Sequence, residues 1–254
     1  MTRTWPSTAA GTDHAAALAG WLRRARGGPP WVVRGSIVTA ALCPGARPPA
    51  DVDYLAPGDG ASFDAAAMER EVRAIAAVAD ELPLEIEATE VIWAETATPG
   101  LRARVRAGTV RFQIDLAVGD PMCVPPRPIS VAGVGDVLAC APETLFGWKL
   151  HGLCEFGPGR WRAKDLFDLD LLWRHAGLDL AATRAAVELA FGSRALPLAA
   201  LDDFRTRDTW GRSRGGVRKW RALAKAHAAV DDFFATRARV RAAVDALLGP
   251  REPG

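Results

Sequence analysis

The spacing of apolar side chains changes along the chain, and the changes predict its elements. In residues 15–26, Leu18, Trp21 and Leu22 recur at helical spacing and Gly27, Gly28, Pro29 and Pro30 close the run, so a helix is expected. Residues 31–34 form a short β-branched strand that turns at Gly35-Ser36 into an apolar helix over 37–42. Proline and glycine make 43–50 a loop, and 51–55 a second strand. Met68, Val72, Ile75 and Val78, three or four apart, predict an amphipathic helix over 65–82. The period then drops to two. Residues 84–93 read as a strand, while 101–107 and 110–116 alternate strictly on either side of Gly108-Thr109, the pattern of a β-hairpin. Beyond Pro142 the alternation ends, and 145–153, 166–173, 180–191, 217–234 and 240–248 all carry helical spacing.

The predicted fold class is α+β: a mixed sheet flanked by helices over residues 1–140, then a helical domain over 141–254. A length of 254 residues suits one large domain or two modest ones, and 49% hydrophobic with 24% charged residues excludes a disordered or fibrous chain. The net charge of only +2 excludes a uniformly basic nucleic-acid binder, yet the halves differ. Residues 1–140 hold 13 basic and 16 acidic side chains, residues 141–254 hold 19 and 14, so any nucleic-acid surface should be local and lie in the second half.

Four scattered cysteines with no C-x-x-C pair argue against a zinc cage or a disulfide framework and fit a reducing cytosol. No apolar run approaches the roughly 20 residues that span a bilayer, and no basic-then-apolar leader opens the chain. A soluble cytoplasmic protein without a membrane partner is expected. Only Lys149, Lys164, Lys219 and Lys225 among the 32 basic residues are lysines, which singles them out.

Three carboxylates can be gathered by periodicity. Asp51 and Asp53, two apart on a strand, share a face; Asp115 breaks out opposite the apolar set Val110, Phe112, Ile114 and Leu116. If these strands are neighbours the carboxylates converge, and such a cluster is best neutralised by divalent cations, Mg²⁺ or Mn²⁺ in its place. Gly35 and Ser36, at a strand-to-helix turn, suit a phosphate: glycine admits it to the backbone and the hydroxyl donates to it. Each piece alone is common, and Asp168-Leu-Asp170 is a second D-x-D. Their order along the chain is the stronger signal.

Lys164 and Asp168 share a helix face at i,i+4, where a solvated ion pair is the ordinary outcome. His151 reads as a packed or surface histidine. From Arg205 to Lys225, Arg205, Arg207, Arg212, Arg214, Arg218, Lys219, Arg221 and Lys225 face a single acid, Asp208, with Trp210 and Trp220 between them. Such a stretch fits an RNA backbone with a base stacked on an indole, and it fits equally a solvated helix whose tryptophans are core.

On these residues the chain resembles a known family. Val32-Val-Arg-Gly-Ser36 with Arg47-x-x-x-Asp51-Val-Asp53 is similar to the first motif of the polymerase-β-like nucleotidyltransferases. Ile114-Asp115-Leu-Ala-Val-Gly-Asp120, the block 142–151 around Lys149, and Arg162-Ala-Lys-Asp-Leu-Phe-Asp168 resemble, more narrowly, the AbiEii/AbiGii toxin-type nucleotidyltransferases. The resemblance implies that Asp51, Asp53 and Asp115 hold two metal ions, with Asp115 also assisting deprotonation of the attacking hydroxyl. It implies that Gly35 and Ser36 hold the terminal phosphates of a nucleoside triphosphate. Lys149 and Lys164 would contact the nucleotide, Lys164 at the reacting end, and Asp168 would orient them; the helical domain would complete the nucleotide site and meet the acceptor.

The leading function is then a toxin-like, Mg²⁺-dependent transfer of nucleotides from a nucleoside triphosphate to an RNA acceptor such as the tRNA 3′ end, with pyrophosphate release and a cognate antitoxin as partner. Contacts to RNA would come from Arg205, Arg207, Arg212, Arg214, Arg218 and Lys219. Two alternatives stand beside it: a small-molecule nucleotidyltransferase acting on an aminoglycoside-like hydroxyl compound, and a catalytically silent nucleotide-binding regulator.

Overall fold

The alternating segments do become strands. The computed structural model describes residues 9–206, 210 and 213–249, and in it seven strands occur: β1 (Val32–Arg34), β2 (Val52–Ala56), β3 (Glu85–Ile92), β4 (Gly100–Ala107), β5 (Val110–Val118), β6 (Arg127–Val131) and β7 (Gly135–Ala139). They form one mixed sheet in the order β3-β4-β5-β2-β1-β7-β6. The helices are α1 (Ala9–Ala25), α2 (Ser36–Leu42), α3 (Ala65–Ala76), α4 (Pro142–Glu155), α5 (Gly157–Arg160), α6 (Ala163–His175), α7 (Leu180–Gly192), α8 (Ala200–Thr206), α9 (Arg214–Ala226) and α10 (Phe233–Leu248). Among the described residues no helix is long and apolar enough to cross a membrane.

Contacts divide the chain into two compact units. The first takes residues 1–41, 48–120 and 126–140; the second takes 141–254 together with the short segments 42–47 and 121–125.

In the first unit, α1 and α3 supply the apolar cover. Leu18, Trp21 and Leu22 of α1 are essentially fully buried, each stabilising by roughly 1.5–3 kcal/mol, and the Trp21 indole donates to the Tyr54 hydroxyl at 3.2 Å. β2 runs parallel to β5 and antiparallel to β1, so Asp53 stands level with both Asp115 and Arg34. β4 and β5 are the predicted hairpin, its turn made by Gly108 with φ +61°. The edge strand β3 is held to its neighbour β4 by Glu90–Arg104 and Glu85–Arg106 pairs and reaches Arg111 of β5 through Glu87, charges that also discourage edge-to-edge association.

Two expectations are corrected here. The helix predicted to reach residue 82 ends at Ala76, because the Arg24 guanidinium reaches from α1 to take the Val78 and Leu82 carbonyls at 2.8 and 2.5 Å, holding that stretch as a loop. The β6–β7 hairpin is an addition to the predicted elements: Ile129, Val131, Val137 and Ala139 alternate as buried positions, but over strands of only five residues broken by Gly133 and Gly135.

In the second unit, α4, α6, α7 and α10 pack on one another through Phe146, Leu150, Leu166, Leu169, Val187, Val240 and Val244, all buried. The single helix expected over 217–234 is two. Asp232 caps α10 by accepting from the Phe234 and Ala235 amides, while the Asp231 carbonyl accepts from the Trp220 indole at 3.1 Å, so the chain breaks between α9 and α10. Gly216 lets α9 come close to Trp161, where any Cβ would lie 2.7 Å from the indole nitrogen.

Candidate active site

The strand ends of the first unit carry the predicted carboxylates. Gly35 takes φ +72°, the left-handed backbone that glycine adopts without penalty, and turns β1 into α2 with Ser36 buried at the first helical position. The missing side chain has a second use: a Cβ on Gly35 would be driven into Oδ2 of Asp53. Strand β2 thus presses its acidic side chain against the Gly-Ser turn. Asp51 sits just before β2, where its Oδ1 accepts from the Gln113 amide at 3.3 Å. A Gly35→Ala variant is expected to combine backbone strain of about 1 kcal/mol or more with displacement of Asp53. Nucleotide binding measured by calorimetry should fall at least tenfold while thermal unfolding moves by only a few degrees; unchanged binding would refute the placement.

The two strands are neighbours, and Asp115 stands level with Asp53 on the adjacent parallel strand. Its carboxylate, however, is engaged. Arg102, its cross-strand neighbour on β4, donates Nε to Oδ1 at 2.8 Å and Nη2 to Oδ2 at 2.7 Å. On the other side Arg34 stands level with Asp53 and gives Nη1 to Asp120 at 2.6 Å. The expected convergence of three carboxylates is therefore reduced: among the described residues no group of three or more His, Cys, Asp or Glu side chains is arranged to hold a metal ion. A pair still suits Mg²⁺, which is ordinarily held by one or two carboxylates and completes its shell with water and phosphate oxygens. Asp51 and Asp53, an all-oxygen pair beside a glycine turn, fit that chemistry.

The second unit holds a separate cluster of charge. Asp168 of α6 is fully buried, and its Oδ2 accepts from Lys149 of α4 at 2.7 Å and from Arg47 at 3.1 Å. Burial alone would raise the Asp168 pKa, but Lys149 and Arg47 outweigh it and hold the carboxyl below its ordinary range. Burial likewise works against the Lys149 ammonium, and Asp168 and Asp165 more than offset it, so that group is raised. The expected i,i+4 partner of Asp168 behaves differently. Lys164 stays exposed, and its pKa is lowered first by desolvation and then by Arg162 and Arg47. His227, just past α9, is lowered by desolvation and by Arg47. Cations thus outnumber the two carboxylates Asp165 and Asp168 in this cluster.

The basic stretch separates into parts. Arg205 is buried, with Nε on Asp245 and Nη2 on the Gly249 carbonyl, both at 2.7 Å, so it braces α8 against α10 and is withdrawn from the nucleic-acid contacts. Trp210 packs edge-on against Phe204, and Trp220 lies among Trp161 and Phe233; both are core, not stacking platforms. Arg207 and Arg212 lie outside the described residues. Arg214, Arg218, Lys219, Arg221 and Lys225 do line exposed positions of α9. His151 is a packed residue, edge-on to Phe191 at 5.3 Å.

Sequence reasoning missed Arg102, Arg34 and His227 and left Arg47 without a role. For Arg102 the signal was present: a two-residue turn at 108–109 pairs 107 with 110, and counting back puts 102 opposite 115.

A mixed sheet with a D-x-D strand set against a Gly-Ser turn, followed by helices bearing a Lys–Asp pair, has the frame of a nucleotidyltransferase. The profile of the family described as "Nucleotidyl transferase AbiEii toxin, Type IV TA system" matches residues 16–246, and the chain belongs to that family. It is a nucleotidyltransferase of the toxin–antitoxin kind, which implies a nucleotide substrate and an antitoxin partner. Among solved structures it is similar to JHP933 from Helicobacter pylori, at 12% identity and TM-score 0.56, over 95% of this chain and 93% of that one. A Helicobacter pylori protein described as a candidate nucleotidyltransferase aligns at 13% identity and TM-score 0.56, over 95% and 96%. At such identities the likeness is one of fold. No curated protein matches the sequence.

Proposed function

We propose that this nucleotidyltransferase uses a divalent cation, Mg²⁺ by preference, to transfer a nucleotide from a nucleoside triphosphate to a hydroxyl of RNA, with the tRNA 3′ end as acceptor. In the transfer the acceptor hydroxyl gives up its proton to solvent as its oxygen bonds to the α-phosphorus, the bond from that phosphorus to the α–β bridging oxygen breaks, and pyrophosphate leaves. The observation that carries the reading is the contact of Asp53 with the Gly35 turn, which sets a carboxylate, and any cation it holds, directly beside a glycine turn at a helix start. Asp51 and Asp53 would hold the cation, whose chemistry is to neutralise the triphosphate and polarise its phosphorus. Gly35 and Ser36 would receive the terminal phosphates by backbone and hydroxyl contact.

In the second unit Lys149 is immobilised by Asp168, while Lys164 remains exposed to approach an anion. Asp168 is thus an orienting group, its charge answered by Lys149 and Arg47.

RNA is favoured over a cationic small molecule by α9. Its first turn contains no acid and begins with Arg214, against the helix dipole, a placement that costs about 0.3–1 kcal/mol and is repaid when phosphates bind.

The test incubates the protein with each labelled nucleoside triphosphate, Mg²⁺ and total RNA. Label is expected in tRNA-sized species, and failure of every nucleotide to enter RNA would refute the acceptor assignment. An Arg214→Gln, Arg218→Gln, Arg221→Gln variant should bind that RNA at least tenfold more weakly. Its affinity should also depend less steeply on salt, the log–log slope falling by about 0.7 for each phosphate that is no longer neutralised. An unaltered slope would remove α9 from the acceptor site.

A further inference from the structure

The strand register draws a line of charge across one face of the sheet: Glu90 on β3, Arg102 on β4, Asp115 on β5, Asp53 on β2 and Arg34 on β1 stand level with one another. The two central carboxylates are neighbours on strands about 4.8 Å apart, and like charges so placed repel unless a cation answers them. On the Asp115 side the chain supplies that cation itself. The Arg102 fork takes both oxygens, at 2.8 and 2.7 Å, in the planar bidentate geometry that suits a carboxylate.

A guanidinium never gives up its charge in a protein, and a divalent ion arriving at Asp115 would have to displace it or sit beside it. Both side chains are largely shielded, at 29% and 11% exposure, so solvent screens that repulsion poorly. The absence of any three-membered donor group among the described residues agrees.

We infer that Arg102 is a built-in counter-cation that occupies Asp115 in place of a second metal ion, so that the site takes one divalent cation, on Asp51 and Asp53. The inference rests on the proposed metal role of that pair. Arg102 acts through Asp115 and is a positioning residue: it fixes the carboxylate and sets the metal stoichiometry.

Mn²⁺ binding tests this without reference to turnover. The purified protein is titrated with Mn²⁺ alone, free ion followed by electron paramagnetic resonance, and Mn²⁺-soaked crystals are examined by anomalous scattering. The wild type should bind about one ion per chain, and Asp53→Asn should lose it. Arg102→Met, which keeps the apolar stem, should gain a second ion on Asp115 and lose it again when Asp115→Asn is added. The Arg102→Met, Asp115→Asn double variant, which removes both charges together, should keep the wild-type Mn²⁺ affinity within about twofold. Two ions on the wild type, no second ion on a folded Arg102→Met, or a tenfold loss in the double variant would overturn the role of Arg102 while the metal reading survives. No ion on the wild type would overturn the metal reading, and the inference with it.

Discussion

Asp53→Asn should abolish nucleotidyl transfer, with a loss of at least about a thousand-fold in kcat/KM, and leave the protein folded. Asparagine has nearly the shape of aspartate, so it keeps the contact with Gly35 and the pairing of β2 with β1 and β5. What disappears is one negative charge and one strong oxygen ligand. A cation loses half of its proposed protein donors, and the triphosphate loses the charge that balances it when the α-phosphorus is attacked. Circular dichroism and thermal unfolding should move little, since an isosteric change at a half-buried position alters no packing. Steady-state transfer of labelled nucleotide is the measurement. A variant within tenfold of the wild type would remove Asp53 from the reaction.

The second large effect is on stability. Removing Asp168 by an Asp168→Ala change should destabilise the helical unit by about 3 kcal/mol, because it leaves the buried Lys149 and half-buried Arg47 cations close together, with only Asp165, 3.6 Å from Lys149, to answer them. In a chain of this size that corresponds to a fall in Tm on the order of 10 °C. Lys149→Met should cost less, since Arg47 remains to answer Asp168, and the double variant should cost less than the sum of the two.

The pH dependence follows from the directions of the shifts. Asp168 is depressed, so its contribution is present above the unfolded aspartate value near 3.9 and is lost as pH falls through the lower folded value. Lys149 is raised, so its contribution is complete below the unfolded lysine value near 10.4 and is lost only as pH rises through the higher folded value. Between these limits the cluster's contribution should be flat. Denaturant unfolding of wild type and Asp168→Ala from pH 3 to 10 would show the two converging only at the acid end. A difference below about 1 kcal/mol at pH 7 would mean the cluster does not brace the fold.

Most of the elements were legible because their signals are local. The β4–β5 hairpin, α2 after the Gly35 turn and the break from strands to helices at Pro142 each follow from period, glycine or proline within a few residues. The candidate carboxylates were legible for the same reason, since alternation sets Asp51 and Asp53 on one face and Asp115 opposite its apolar neighbours. The end of α3 was not, because the carbonyls of Val78 and Leu82 are claimed by Arg24, more than fifty residues earlier. Nor was the fate of Arg205, which the basic run 205–225 offered to RNA and packing turned inward to Asp245, while Trp220 took the core position that the sequence had left as one of two equal readings.

By itself the sequence determined which side chains are candidates for the chemistry and which local conformation presents them: a glycine where the backbone must turn, carboxylates at period two, lysines rare enough to be conspicuous. Only the tertiary structure decided what those charges face. Asp115 meets Arg102, Asp168 meets Lys149 and Arg47, and Lys164 feels Arg162 and Arg47 more strongly than Asp165. The physical reason is that a carboxylate's role depends on the sign and distance of its neighbours, and those are set by parallel strand register and helix packing between segments far apart in the chain.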